Sequence, residues 1–246
     1  MAPYTGDVVT GCDPDVRLLD EVAIHKMSVG PMDNNAYLLT CHSTGAQLLI
    51  DAAADPQSLM DLIDMSEGDG PGDGPLDAGP PLDLVVTTHR HADHFGALAD
   101  IVAVTGARTV AGADDAASIA HDSGTAIDLP VSDGDTVTFG RITLDVIQLR
   151  GHTPGSIALA YTEPDNVSRQ DAAAGRAHLF TGDALFPGGL GNTHDDRNRF
   201  ATLLDDVTTR IFDRYRDDTW VYPGHGVDTT LGAERPHLDE WRARGW

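Results

Sequence analysis

The chain has almost no lysine and little glutamate. Among its 246 residues, Lys26 is the one lysine, and 5 residues are Glu against 34 Asp. With 15 arginines the formal net charge is −23 at pH 7. A surface of this sign repels phosphate groups, so we expect neither nucleic acid nor an anionic membrane as a partner. The composition fits a salty cytoplasm or a GC-rich genome, and it does not separate the two.

Cysteines and long apolar runs are also scarce. Cys12 and Cys41 are the two cysteines, too far apart for a CxxC metal clip and too few for a disulfide framework. No run approaches the roughly 18 apolar residues of a membrane span. No basic segment followed by an apolar segment opens the chain, as a secretory signal would. We therefore expect a cytoplasmic protein whose thiols are buried or inert.

The rest of the composition suits one globular domain. Hydrophobic residues make up 41% of the chain, which is enough to bury a substantial core at this length. We expect residues 1–246 to form a single domain. Residues 66–81 are mostly Gly, Pro and Asp and predict a surface insertion, because they carry too little apolar content to pack.

The hydrophobic pattern predicts strands that alternate with helices. Residues 1–15 are polar and rich in turn formers, which predicts a loosely held terminus. A meander of three strands ends at Asp51, and a helix begins at Pro56. The second half returns to strands before a helix over residues 195–215. Two halves of this kind fit a layered sheet sandwich with outer helices.

The densest chemical motif follows a strand predicted over residues 82–88. Directly after it come His89, His91, Asp93 and His94. Neutral imidazole and carboxylate are the ligands that borderline divalent metals prefer. Alternate side chains of an extended segment point to the same side, which places His89, His91 and Asp93 together. The irregular spacing at Asp93-His94 turns the His94 side chain in a different direction. The motif therefore predicts one loop that supplies ligands to two adjacent metals.

Three further candidates stand where a predicted strand breaks into a glycine-bearing turn. They are His152, Asp183 and His225. Such turns are the places where α/β proteins hold ligands. An isolated His or Asp beside Gly is more often a plain turn residue, so the prediction depends on their conjunction with the His-rich loop.

Several residues allow two interpretations. Asp51 is either a carboxylate that orients a metal ligand or a turn carboxylate. His194 either faces a pocket or is a solvated loop residue, and Arg197 and Arg199 either meet a substrate carboxylate or lie on a helix surface. Of the other histidines, His178 is expected to pack in a strand. Those expected at surfaces or element ends are His25, His42, His121 and His237.

The order of HxHxDH, a later His, a later Asp and a last His resembles the metallo-β-lactamase superfamily. The resemblance covers nearly the whole chain and implies a four-layer αββα sandwich with the site at one edge, between the sheets. It also implies two metal sites. The first is held by His89, His91 and His152, the second by Asp93, His94 and His225, and the bridging ligand is Asp183.

Within that superfamily the motifs are similar to those of glyoxalase II-like thioesterases. The similarity is strongest in Gly182-Asp183-Ala184-Leu185-Phe186 and the glycines at 188, 189 and 191. The β-lactamase branches resemble the chain less, since they lack the bridging Asp. Two departures concern the thiol carrier: Gly191-Asn192 stands where the family has Gly-Arg, and 21 residues follow His225, too few for a helical glutathione-binding domain.

The resemblance implies a metal-dependent hydrolase of a small-molecule thioester of the 2-hydroxyacyl type. Two divalent ions, with zinc favoured over iron or manganese, would share a bridging hydroxide that attacks the carbonyl, and Asp93 would orient it and accept its proton. Alternatives are a persulfide dioxygenase-like oxidoreductase with one iron, or a lactamase, lactonase or nuclease. A structural or storage metal site ranks last, since seven candidate ligands leave open coordination positions. The acyl group, native metal and oligomeric state stay open.

Overall fold

A computed structural model describes residues 3–66 and 82–245 and contains two large sheets. The first sheet has seven strands arranged in sequence order. Pairing is antiparallel through the first four strands and parallel from the fourth onward. The strands are β1 (Asp15–Leu18), β2 (Val22–Val29), β3 (Asn34–Cys41), β4 (Gln47–Ile50), β5 (Leu82–Thr87), β6 (Arg108–Gly112) and β7 (Leu129–Val131).

The second sheet has six strands in the order β15-β14-β11-β10-β9-β8. Its members are β8 (Thr136–Phe139), β9 (Ile142–Gln148), β10 (Ile157–Thr162), β11 (Ala177–Gly182), β14 (Trp220–Pro223) and β15 (Thr229–Thr230). Only β11 and β14 run parallel within it. A short hairpin of β12 (Leu185–Phe186) and β13 (Gly189–Leu190) follows β11 directly.

Helices cover the outer face of each sheet. The first sheet carries α1 (Pro56–Met65), α2 (Leu98–Thr105) and α3 (Ala113–Ser123), whose buried residues share a core with that sheet. The second sheet carries α4 (Arg197–Val207), α5 (Leu231–Glu234) and α6 (Leu238–Arg244). No helix within the described ranges is long and apolar enough to cross a membrane.

The largest core lies between the two sheets. Ile24 and Val86 of the first sheet belong to the same buried cluster as Leu159, Phe180 and Tyr222 of the second. Burying apolar surface stabilises a fold by about 25 cal/mol per Å². The contact between the two sheets is therefore a principal source of stability. With helices outside each sheet, the layers are αββα, and the predicted four-layer sandwich is confirmed.

The N-terminal segment differs from its prediction as a loosely held terminus. Tyr4 is buried, and the Asp15 carboxylate accepts hydrogen bonds from the backbone amides of Thr5 and Gly6, both at 2.8 Å. The Arg17 guanidinium lies 4.3 Å from the centre of the Tyr4 ring. The Tyr4 hydroxyl also donates to Asp228, 224 positions along the chain, and the local run of turn formers gives no sign of such a contact.

The structure shortens one predicted helix and describes only the first residue of the predicted insertion. The helix predicted over 195–215 is α4 followed by a π-helical turn at Thr208–Phe212, and it ends there. Of the predicted insertion at 66–81, only Ser66 lies within the described residues. Ser66 is buried at the end of α1, where its hydroxyl donates to the Leu62 carbonyl at 2.8 Å.

The single lysine, Lys26, is buried on β2. Lys26 on β2 donates to the carbonyls of Gly6 and Gly226 at 2.6 and 2.7 Å, and to Asp228 Oδ1 at 2.6 Å. The Asp228 carboxylate also accepts from the hydroxyl of Tyr4. Because Gly226 follows His225 directly, this ion pair fixes the backbone beside one candidate ligand.

Candidate metal centre

The candidate residues meet at one end of the sandwich because parallel strands end there. In the first sheet, β4 and β5 run parallel and lead into Asp51 and the His-rich loop. In the second, β11 and β14 run parallel and lead into Asp183 and His225. An isolated bridge between Asn34 and His225 joins the two sheets at this end. Carboxyl ends of parallel strands are where such folds hold ligands.

Three imidazoles form what we call the first cluster, namely His89, His91 and His152. The Nδ1 atom of His91 lies 3.0 Å from Nε2 of His89 and 2.9 Å from Nε2 of His152. Burial and the neighbouring imidazoles hold the pKa of His89 well below its usual range, and burial lowers the pKa of His152 to about 4. Neutral rings therefore direct nitrogen atoms at a common point.

The second cluster consists of Asp93, His94 and His225. Asp93 Oδ2 lies 3.6 Å from His94 Nε2 and 3.4 Å from His225 Nε2. The side chain of His94 is fully buried, whereas those of Asp93 and His225 are about one quarter exposed, at 24% and 26%. Solvent therefore reaches this cluster from one side.

Asp183 stands between the clusters. Its Oδ1 lies 3.4 Å from His94 Nε2, while its Oδ2 lies 3.7 Å from His152 Nε2 and 3.6 Å from His225 Nε2. Each carboxylate oxygen thus faces ring nitrogens, and one carboxylate serves both clusters. The structure brings together all seven residues that the sequence predicted as ligands.

Buried atoms without partners test whether a metal fits. Among the described residues, His94 Nε2 and Asp183 Oδ1 are buried and make no hydrogen bond. An unsatisfied buried polar atom costs about 1–3 kcal/mol, and a cation between these atoms removes that cost. In each of three groups of residues, the potential ligand atoms all lie within 4.8 Å of one another. These groups are the first cluster, the second cluster, and a third made of His89, His94 and Asp183. The donor set therefore fits two divalent ions.

Asp51 orients His94, which decides between its two interpretations. Its carboxylate accepts from the Thr88 amide and hydroxyl, each at 2.8 Å, and lies 2.8 Å from His94 Nδ1. That contact turns Nε2 of the ring toward Asp183, as carboxylates do behind metal-bound histidines. Burial acts to lower the pKa of His94, but Asp51 and Asp183 outweigh it and raise the pKa to about 10. The same negative charge attracts a metal cation.

Backbone and amide groups hold other candidate ligands, and the sequence did not predict these contacts. Asn34 Nδ2 donates to Asp93 Oδ2 at 3.0 Å. The Asn192 carbonyl lies 2.8 Å from Nδ1 of His152. A Cβ on Gly224 would lie 2.2 Å from Asp183 Oδ1, so the turn before His225 requires glycine. Asn34 begins β3 after a turn, which was the one available signal.

The three residues considered for substrate contact, His194, Arg197 and Arg199, lie in different surroundings. The exposed His194 ring lies 6.3 Å from the His91 ring, and His194 and Asp195 both adopt positive φ, at 56° and 59°. Arg199 donates through Nε to the Gly151 carbonyl at 2.7 Å and through Nη2 to the His152 carbonyl. Arg199 thus supports the His152 loop from α4. Arg197 instead lines a 760 Å³ groove between α4 and α6.

The other histidines lie away from the clusters. His178 is buried in β11, as expected for a strand residue, and His121 and His237 are exposed. His42 is half-buried at the end of β3. His25 is only 6% exposed, so the expectation that it lies at a surface was wrong. Its strand is covered on both faces, and this burial is invisible in the local pattern.

Comparison with known proteins places the chain in a family. Residues 29–167 match the model of the metallo-β-lactamase superfamily. The chain is 31% identical over 197 residues to a hydroxyacylglutathione hydrolase of Polaromonas sp., covering 78% of this chain and 62% of that protein. It is 32% identical over 169 residues to the mitochondrial persulfide dioxygenase ETHE1 of Homo sapiens, covering 67% and 58%. The chain thus spans less than two thirds of either relative.

A solved structure gives the same result. The crystal structure of TTHA1623 in a di-iron-bound form is 28% identical, with a TM-score of 0.57, and the match covers 85% of this chain and 95% of that one. Fold, motif order and the match over more than half of the chain agree. The chain belongs to the metallo-β-lactamase superfamily.

Proposed function

We propose that the protein is a metal-dependent hydrolase of small acyl-thiols, with thioesters of the 2-hydroxyacyl type as substrates. The observation that carries the proposal is Asp183, whose two oxygens face both clusters and which lacks a hydrogen bond at Oδ1. We propose His89, His91 and His152 as ligands of one divalent ion, Asp93, His94 and His225 as ligands of the other, and Asp183 as the bridge. Zinc is favoured, since imidazole and carboxylate suit it, and iron and manganese are alternatives.

Divalent ions held by these residues would supply a water whose pKa is lowered toward roughly 7 and a Lewis acid for the thioester carbonyl. The chain's own contribution centres on Asp93. Burial acts to raise the pKa of Asp93, but the Asn34 amide and His94 outweigh it and lower the pKa. Asp93 is therefore a carboxylate at neutral pH, held by Asn34, and it orients the attacking water and accepts its proton. The C–S bond then breaks, giving a carboxylic acid and a thiol.

Similarity to known enzymes supports this reaction class and also a second candidate. The hydroxyacylglutathione hydrolase of Polaromonas sp. supports a thioesterase, and the human persulfide dioxygenase, at 32% identity, supports an iron-dependent oxidoreductase. The second cluster favours the hydrolase, because a dinuclear hydrolase needs both groups of ligands. We further propose one domain over residues 1–246, a cytoplasmic location and no nucleic-acid partner, the last on the net charge of −23.

One experiment separates the two candidates. Metal-loaded protein is given the same 2-hydroxyacyl group on glutathione, on coenzyme A and on other low-molecular-weight thiols, and separately a persulfide, with an oxygen electrode in the cell. We expect release of free thiol without oxygen uptake, and about two metal ions per chain by elemental analysis. Oxygen uptake with the persulfide and no thioester cleavage would overturn the proposal.

A matched pair of variants ties activity to the clusters. His89→Gln removes an imidazole from the first cluster and is expected to abolish thioester cleavage. His121→Gln makes the same change on the exposed side chain of α3 and is expected to leave activity at the wild-type level. Equal activity in both variants would show that cleavage occurs elsewhere.

A further inference from the structure

A buried carboxylate lies between the two loops that carry the first cluster. Asp115 is in the first turn of α3 and is 0% exposed. One of these loops contains His89 and His91, and the other contains His152. The two loops are distant in sequence, so something must hold them in register for three imidazoles to share one point.

Asp115 accepts hydrogen bonds from both loops. Its Oδ2 accepts from the backbone amide of Arg90 at 3.2 Å, between the two histidines of that loop. The same oxygen accepts from the hydroxyl of Thr153, the residue after His152. Its Oδ1 accepts from the backbone amide of Gly155 at 3.0 Å. One carboxylate thus joins the backbone of one loop to that of the other.

The packing around this carboxylate leaves no space for adjustment. A Cβ on Gly155 would lie 2.4 Å from the Asp115 backbone nitrogen and 2.8 Å from Asp115 Cβ. A Cβ on Gly112, the residue before α3, would lie 2.0 Å from the Gly155 carbonyl oxygen. The His152 loop therefore rests directly on the start of α3, and Asp115 transmits that position to Arg90.

The chemistry of the contacts requires a carboxylate at this position. All of the groups that face the two oxygens are donors, and the Arg90 guanidinium adds a cation, with its Nε 3.8 Å from Oδ1. The start of a helix also favours negative charge. An asparagine has the same shape, but its NH₂ group would face an N–H or O–H donor, and at least one of the loop contacts would be lost.

We propose that Asp115 is a positioning residue for the first cluster, holding the loop of His89 and His91 against the loop of His152. The inference rests on the metal site of the proposed function but does not depend on the substrate. Outer carboxylates of this kind typically change metal affinity by about 10- to 100-fold when replaced.

The test is metal retention by Asp115→Asn in the full chain. Zinc-loaded protein is dialysed against a graded series of chelator concentrations, and bound zinc is counted by elemental analysis. We expect the wild type to keep both ions at a chelator concentration where the variant keeps one, with about a 10- to 100-fold shift in the concentration that removes the first-cluster ion. Excess zinc should restore the variant's second ion, which a merely unfolded protein would not allow.

Asp128→Asn is the matched control. The Asp128 carboxylate also accepts from a backbone amide and a hydroxyl, both of Thr109, at 2.9 and 3.1 Å. It contacts neither metal loop, so this variant should retain both ions like the wild type. Equal retention by Asp115→Asn and wild type, or equal loss in both variants, would overturn the inference.

Two further measurements keep the result interpretable. Thr153→Val removes one of the donors to Asp115 and should shift zinc retention in the same direction by a smaller factor, even if Asp115→Asn does not fold. Wild-type retention by a folded Thr153→Val variant would then overturn the inference. A wild-type chain that binds none of zinc, iron and manganese would refute the proposed function instead, so the two failures are distinguishable.

Discussion

Replacing Lys26 with methionine should cost the protein a large part of its stability. Methionine has nearly the same length and fits the same space, so the change removes the charge and the three hydrogen bonds without leaving a large cavity. The Asp228 carboxylate stays buried, with its neutral donors Tyr4 and Trp220 at 2.7 and 2.8 Å. The carbonyls of Gly6 and Gly226 lose their ammonium donor.

The expected loss of stability can be estimated because Asp228 is left buried without its cationic partner. Removing one partner of a buried ion pair destabilises by about 3–5 kcal/mol, because the other charge stays buried without compensation. For a chain of this size that loss corresponds to a fall in Tm of roughly 10 °C. Replacing both partners, in Lys26→Met/Asp228→Asn, should cost less than the sum of the single changes, since no unpaired charge is left.

The dependence on pH has a definite sign. Burial raises the pKa of Asp228 even with Lys26 present, and loss of the ammonium raises it further. A carboxyl whose pKa is raised by folding contributes stability below its unfolded pKa and loses it as pH rises through the folded pKa. The Lys26→Met variant should therefore be closest to wild type at pH near 4 and furthest from it at pH 8.

Denaturant unfolding of the wild type, both single variants and the double variant at pH 5 and pH 8 measures these quantities. Arg216→Met is the control: the Arg216–Asp218 pair has the same 2.6 Å separation but is exposed to solvent, and the midpoint should hardly move. The reasoning would be refuted if the free energies of unfolding of Lys26→Met and the wild type differed by less than about 1 kcal/mol at pH 8. Such a difference is far smaller than the cost of an unpaired buried charge.

Two other predictions concern single side chains. Asp183→Ala should release both bound ions and abolish turnover with little change in fold. The control is Asp195→Asn, because asparagine tolerates the positive φ of that position, and this variant should keep both ions. Equal metal content of the two variants by elemental analysis would contradict the bridging role. Burial lowers the pKa of His178 from 6.5 to about 4, so stability should fall as pH decreases from 6.5 to 4, because the unfolded chain takes up the proton first. His178→Gln should remove that part of the slope in urea titrations at pH 7 and pH 5, and an unchanged slope would show that His178 is not its source.

The candidate ligands could be identified from sequence because they are encoded locally. His89, His91, Asp93 and His94 occupy one loop, and each later ligand follows a strand that ends in a glycine-bearing turn. Parallel pairing of β11 with β14 then brings the strand ends before Asp183 and His225 to the same edge of the sandwich, whereas β9, before His152, pairs antiparallel with β10. The supporting residues could not be found in this way. Asn34 lies 59 residues from Asp93, its partner, and no local pattern connects them.

The errors have the same origin. The order of the N-terminal segment comes from Lys26, Arg17 and Asp228, which approach it only in the folded chain. The 38-residue separation between Asp115 and Thr153 likewise hid the role of Asp115. Local sequence therefore predicts which residues can bind a metal, while the contacts that hold them depend on the tertiary fold.

The buried position of Lys26 also determines which amines the folded protein presents to solvent. Since the sequence has no other lysine and Lys26 is fully enclosed, the folded chain offers no lysine amine to solvent. Thioesters transfer acyl groups to free amines, and lysine is the side chain that such acylation modifies. The other strong cations are arginines, whose guanidinium groups stay protonated and unreactive at neutral pH. Under the proposed function, the folded protein can therefore work in a high concentration of an acyl-thiol without accumulating acyl-lysine adducts.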